Sequence, residues 1–119
     1  MGQRDDKLEL VVGTAPAQRF QVTRQSGRTE KPVDLSSGVD WVKINVRDNE
    51  ADEMVVDAQA CTVEVAADGI VYYLFDASTE LDVERLDCAY WLEVSLSGSP
   101  TEIFPTDEYP LVIKDRRAT

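Results

Sequence analysis

The 119-residue chain contains no histidine. Without it the Ser-His-Asp and Cys-His arrangements of nucleophilic catalysis cannot be built as such. There are only two cysteines, Cys61 and Cys88, too far apart in sequence for a CxxC redox or metal motif. No apolar run approaches the ~18 residues that suggest a membrane-spanning helix. The opening stretch Met1–Lys7 is polar and charged, unlike a secretory signal peptide. The six glycines are scattered through turn-like segments, so there is no glycine-rich phosphate loop.

Basic residues are scarce as well. Twelve Lys and Arg stand against 23 Asp and Glu, a net charge of −11. This acid excess argues against nucleic-acid binding, because neutralising phosphates needs a basic surface. The imbalance is uneven along the chain. Met1–Arg47 holds eight basic and six acidic residues, whereas Asp48–Glu108 holds sixteen acidic residues and one basic residue, Arg85. Such polarity suits steered docking onto a neighbour of complementary charge. The plainer reading is an acidic surface that keeps a small domain in solution. On the first reading, Arg19, Arg24, Arg28 and Lys31 form a candidate basic contact face.

What the sequence has in quantity is period-2 alternation. Cys88, Tyr90, Leu92, Val94 and Leu96 fall on one side of an extended chain, and Ala89, Trp91, Glu93 and Ser95 on the other. Val39–Arg47 repeats the pattern, with Val42, Ile44 and Val46 opposite Trp41, Lys43 and Asn45. Shorter strands are expected at Leu8–Val12, Arg19–Gln25, Met54–Val56 (an edge), Cys61–Val65, Thr101–Phe104 and Leu111–Lys114. Turns are expected at Ser26-Gly27, Ser36-Ser37-Gly38, Ala67-Asp68-Gly69 and 97–100. Ile70–Phe75 is apolar on both faces, which fits a strand covered on both sides or one at a subunit interface. Thr79 and Asp82 have capping-box spacing, predicting a helical turn over Glu80–Arg85. At 119 residues the whole chain reads as one domain with flexible ends at 1–7 and 116–119. Seven to nine short strands with regular turns predict an all-β fold, an immunoglobulin-like antiparallel β-sandwich. Asp87-Cys88-Ala89-Tyr90 falls where such folds place a corner tyrosine, and a plain core tyrosine fits equally.

Candidate chemistry is thin. Acids are abundant, but no motif pairs them for hydrolysis, and the chain reads as non-enzymatic with no cofactor. Asp48, Glu50 and Asp52 have the one-three-five spacing of a calcium loop. Glu53 stands where its glycine belongs and Gln59 where its bidentate acid belongs, so a solvated acidic loop is expected and no metal site. Cys61 and Cys88 are expected to be reduced, Cys88 in the core. Trp41 and Trp91 fall opposite the apolar register of their strands, which makes them candidate partner contacts. The alternative for Trp41 is the buried tryptophan of an immunoglobulin-like strand, with a register change after it.

The order of pieces carries a resemblance. Leu8–Gly13 is followed by a strand with Phe20 and Val22, the turn Pro32-Val33-Asp34-Leu35-Ser36-Ser37-Gly38, and a strand ending Val46-Arg47-Asp48. Gly69-Ile70-Val71-Tyr72-Tyr73 and Tyr90-Trp91-Leu92-Glu93-Val94 come later. Together these resemble the immunoglobulin-like N-terminal domain of phage baseplate upper proteins and related small fibre or tail adaptor proteins. The family usually has a glycine just before the late tyrosine, where this chain has Cys88-Ala89, and Arg28–Lys31 lengthen the turn before Pro32. The resemblance implies a virion protein assembled in the host cytoplasm, present in several copies. Its implied partners are other virion structural proteins, with no nucleic acid or membrane among them. Because the chain stops at Thr119, with no shaft, the expectation is a stand-alone adaptor or bridge at tail, baseplate, fibre or neck. A capsid decoration protein, or a carbohydrate- or receptor-binding sandwich using Trp41 and Trp91, is the alternative.

Overall fold

The computed structural model describes residues 7–26, 28–36, 38–97 and 102–116. The expected turn residues Gly27 and Ser37, the loop 98–100, Thr101, and most of the two ends expected to be flexible (1–6 and 117–119) lie outside the described residues.

Alternation sets the two long central strands. In chain order the strands are Leu8–Val11 (β1), Ala17–Gln21 (β2), Thr23–Ser26 (β3), Thr29–Pro32 (β4), Val39–Asp48 (β5), Glu53–Ala60 (β6), Thr62–Val65 (β7), Ile70–Leu74 (β8), Arg85–Leu96 (β9), Glu102–Pro105 (β10) and Tyr109–Lys114 (β11). A 3-10 turn at Ala66–Asp68 is the one helical element among the described residues. Strands β5 and β9 pair antiparallel along their length, setting Val42 beside Val94, Ile44 beside Leu92 and Val46 beside Tyr90. All six are buried. These strands are the middle of a six-stranded sheet ordered β1-β11-β9-β5-β6, with β10 added to the free half of one β9 edge. A three-stranded sheet, β2-β8-β7, supplies Phe20 and Val71 to the same core, and the β3–β4 hairpin stands apart from it. Leu35, Phe75 and Leu81, from the connections, are fully buried with them.

The architecture is therefore all-β and sandwich-like, with three differences from expectation. It has eleven strands among the described residues rather than seven to nine. The extra ones arise because the chain leaves the small sheet at buried Val22 and turns back on itself as β3 and β4. The sheet is mixed rather than wholly antiparallel, since β1 runs parallel to β11. The edge strand expected over Met54–Val56 extends to eight residues.

No helical turn forms over Glu80–Arg85. Asp76 supplies the cap instead, its carboxylate accepting the N–H groups of Ser78 at 2.7 Å and Thr79 at 3.0 Å. Glu80 then turns inward and is buried, accepting the Asp76 N–H at 2.8 Å and the Tyr73 hydroxyl. A carboxylate committed to those two donors fixes a tight irregular turn. Cover over Ile70–Phe75 is incomplete: Val71 and Phe75 are buried, but Leu74 on the outer face is 61% exposed. Tyr90 lies mid-strand in β9, packed between Phe20 and Tyr109 with centroid distances of 5.2 and 5.6 Å, and is a core residue rather than a corner.

Candidate functional site

The candidate basic residues divide between two places. Arg19 sits on β2 between Gln18 and buried Phe20, so alternation sends its side chain to the outer face of the three-stranded sheet. There it pairs with Glu64 of β7 at 2.7 Å and remains 71% exposed. Tyr72 and Leu74 of β8 share that outer face. Arg24 and Lys31 lie directly opposite each other across the β3–β4 hairpin, with Arg28 exposed at its turn. The Arg24 guanidinium lies 4.0 Å from the centroid of the Phe104 ring, a cation–π contact that ties the hairpin to β10. The single basic face expected from the uneven charge distribution is thus divided between the two places. Buried Val22 ends one sheet, and the next three basic residues follow a different ribbon.

The two tryptophans, in contrast, come together on one face. Trp41 is opposite Ser95 and Trp91 is opposite Asn45 on the paired strands β5 and β9, on the side away from the core. Both are half-buried. Between them Lys43 faces Glu93 across the strands, and Lys43 Nζ lies 4.3 Å from the Trp41 ring centroid. In the pairing of β5 with β9 the register change falls between Val39 and Trp41, before the tryptophan rather than after it. Val42 therefore takes the core position and Trp41 is not the buried tryptophan of the alternative reading.

In the acidic loop the carboxylates are used by the protein itself. Asp48 Oδ1 accepts the N–H groups of Glu50 at 3.0 Å and Ala51 at 3.1 Å, while Oδ2 takes Arg85 at 2.9 Å. Arg85 also pairs with Glu53 at 2.7 Å, and Asp52 pairs with Arg47. Burial pushes the Asp48 carboxyl up, but the two N–H donors and the Arg85 guanidinium outweigh it and hold its pKa below the ordinary value. Among the described residues no three His, Cys, Asp or Glu side chains are placed to hold one metal ion. Cys61 and Cys88 are free thiols. Burial pushes them up to about 12 and about 11, so both stay protonated at neutral pH.

One feature was not legible in the sequence. A groove of about 360 Å³ opens between the edge of β2 and the neighbouring ends of β1 and β11. Leu8, Phe20, Tyr90, Leu92 and Tyr109 form its floor, and Lys7, Gln18, Arg19, Gln21, Thr23 and Thr106 make most of its open surface polar. Tyr109 donates its hydroxyl to Glu30 at 2.9 Å, and burial together with that carboxylate raises its pKa to about 12. Thr106 is fixed by Leu92, donating its N–H to the Leu92 carbonyl at 2.7 Å and accepting the Leu92 N–H on Oγ1 at 2.9 Å. The floor is assembled from residues as distant as Leu8 and Tyr109, so no local pattern announces it.

No family model and no curated protein matches the sequence.

Proposed function

We propose that this chain is a non-enzymatic structural protein of a phage particle, an adaptor that joins neighbouring virion components. The observation that supports bridging is the placement of the two contact candidates. Trp41 and Trp91 lie on the outer face of the six-stranded sheet, and Arg19 with Tyr72 and Leu74 on the outer face of the three-stranded one. One domain then presents two chemically different surfaces to two neighbours: an aromatic one suited to burial and a basic, partly apolar one suited to an acidic partner. The strand order supports an immunoglobulin-like reading of the fold. The run β11-β9-β5-β6 follows the G-F-C-C′ order of a variable-type domain, and β2-β8-β7 follows B-E-D. The β3–β4 hairpin is an addition to that plan. The resemblance to phage adaptor domains points the same way.

Crosslinking inside the native particle tests this reading. Crosslinks from the tryptophan face and from the β2–β8 face to two different virion proteins support it. Particles that assemble and infect normally without the protein overturn it.

The tryptophan pair favours a second reading, in which the two rings stack on a sugar. Glycan-array binding that disappears in Trp91→Ala would establish it and displace the first.

A further inference from the structure

Edge strands expose unpaired backbone groups, and proteins usually blunt them with bulges, charge or brevity. The outer strand β6 is blunted. Ala58 adopts a φ of +52° inside it, its N–H is taken by Asn45 Oδ1 at 3.0 Å, and its register with β5 shifts twice. Strand β7 is four residues long and slips register between Val63 and Val65. Strand β1 is four residues long. Strand β2 is also short, at five residues, and carries the charge of Arg19, but it has no bulge or register shift over Ala17–Gln21, where its pairing with β8 is regular throughout.

The direction of its unpaired groups follows from the ladder. Phe75 donates its N–H to the Pro16 carbonyl, and Val22 donates to Gly69. Antiparallel bonding alternates, so the even-numbered residues of β2 bond to β8, and Ala17, Arg19 and Gln21 direct their N–H groups outward. The Gln18 side chain already donates to the Arg19 carbonyl at 3.2 Å. Among the described residues no strand lies beside that edge. The groove floored by Phe20, Tyr90 and Leu92 runs along it.

We propose that the β2 edge is a docking site for an extended segment of a partner protein, which adds to the small sheet as a further strand. The groove and the charges define the segment. Inward side chains of an added strand would enter the groove against Phe20 and Tyr90, so they must be apolar. Outward ones would lie beside Arg19, which Glu64 pairs at 2.7 Å but which stays 71% exposed, with Lys7 at the rim, so acidic side chains are favoured there over basic ones. The ligand is an alternating apolar and acidic peptide, bound by main-chain hydrogen bonds and by the groove. This inference is independent of the virion reading, which particle incorporation tests separately.

The experiment titrates the full chain with a capped peptide of alternating valine and glutamate, and in parallel with one of valine and lysine. Binding and amide hydrogen exchange are read together by NMR. The valine–glutamate peptide is expected to bind and to slow exchange at Ala17, Arg19 and Gln21. Arg19→Glu should weaken it about fivefold. Gln21→Pro, which removes one outward donor at an edge position that tolerates proline, should abolish it. If Gln21→Pro misfolds, the Arg19→Glu titration and the exchange pattern still decide. No binding by either peptide overturns the proposal, and equal binding of both overturns its charge selectivity. Edge amides protected in the free protein at every concentration would assign the edge to the chain's own residues 1–6. Protection that grows with protein concentration would assign it to a second copy. Either result overturns a partner segment.

Discussion

Strands β9 and β2 face each other across the core and reach burial by different routes. Strand β9 is paired on both edges for most of its twelve residues, by β5 on one side and by β11 and β10 on the other. Its Cys88, Tyr90, Leu92 and Val94 are held in place by backbone ladders. Strand β2 has five residues and, among the described residues, one partner strand, and its sheet is tied down largely by connections. Val33 donates to the Val22 carbonyl at 2.9 Å, and Leu35 to the Ala66 carbonyl at 2.8 Å. In the large sheet β9 is held along both edges, whereas the small sheet is a short three-stranded ladder tied to the rest of the chain by a few backbone bonds at its ends. Local opening should begin in the small sheet.

The largest expected effect comes from breaking the regular side. Leu92→Asp places an unpaired carboxylate at a position 3% exposed, beside Ile44. The cost of several kcal/mol is a large part of the ~5–15 kcal/mol stability of a domain. Calorimetry should show no cooperative transition. A cooperatively melting Leu92→Asp protein would mean that β9 does not carry the core.

Next is the tie of the small sheet. Gly69 has a φ of +71°, and a Cβ there would lie 2.6 Å from the Val33 carbonyl oxygen and 2.9 Å from that of Val22. Gly69→Ala combines a backbone penalty with a clash against two fixed carbonyls, for a loss of about 3 kcal/mol. Hydrogen exchange should quicken in β2, β7 and β8 more than in β5 and β9. Uniform quickening would mean that the two sheets unfold as one unit.

A smaller effect lies where β5 and β9 end. Asp48→Asn removes the charge that Arg85 faces and should cost about 2 kcal/mol at neutral pH. Because the folded pKa of Asp48 is depressed, its contribution is complete above the unfolded value near 4 and is lost as pH falls through the folded value. Wild type and Asp48→Asn should therefore converge in stability below about pH 4 in chemical denaturation. A constant gap across that range would exclude the linkage. Smallest of all, Lys31→Glu replaces a like-charge pair with Arg24 by an attractive one and should raise the melting temperature by about 1 °C. A lower melting temperature would show that Lys31 has another role.

The same contrast explains what could be read from the amino acids. Strands β5 and β9 bury one face each, so the identity of every second residue records their position. Strand β6 does not announce its length, because Glu53-Met54-Val55-Val56-Asp57-Ala58-Gln59-Ala60 is an edge with a bulge and buries only Val56 well. The helical turn predicted at Glu80 does not form because Tyr73 and the Asp76 N–H each take one oxygen of that carboxylate, local contacts that the capping-box spacing of Thr79 and Asp82 does not encode. Of the candidate contacts, the shared face of Trp41 and Trp91 follows from strand parity once β5 and β9 are paired. The separation of Arg19 from Arg24 does not, since it depends on where the chain quits one sheet for the next. The groove has no sequence signature, because Leu8, Phe20, Tyr90 and Tyr109 meet only through the topology.

The parallel pairing of β1 with β11 has a mechanical consequence. Leu8 lies beside Leu111 and Val11 beside Lys114, and Val12 donates one further bond to the Lys114 carbonyl at 3.0 Å. Tension entering ahead of Leu8 and leaving behind Lys114 pulls these strands past each other lengthwise. Their bonds then share the load at once instead of parting one by one like a zipper. Until that pair slips, β5 and β9 bear almost none of the force.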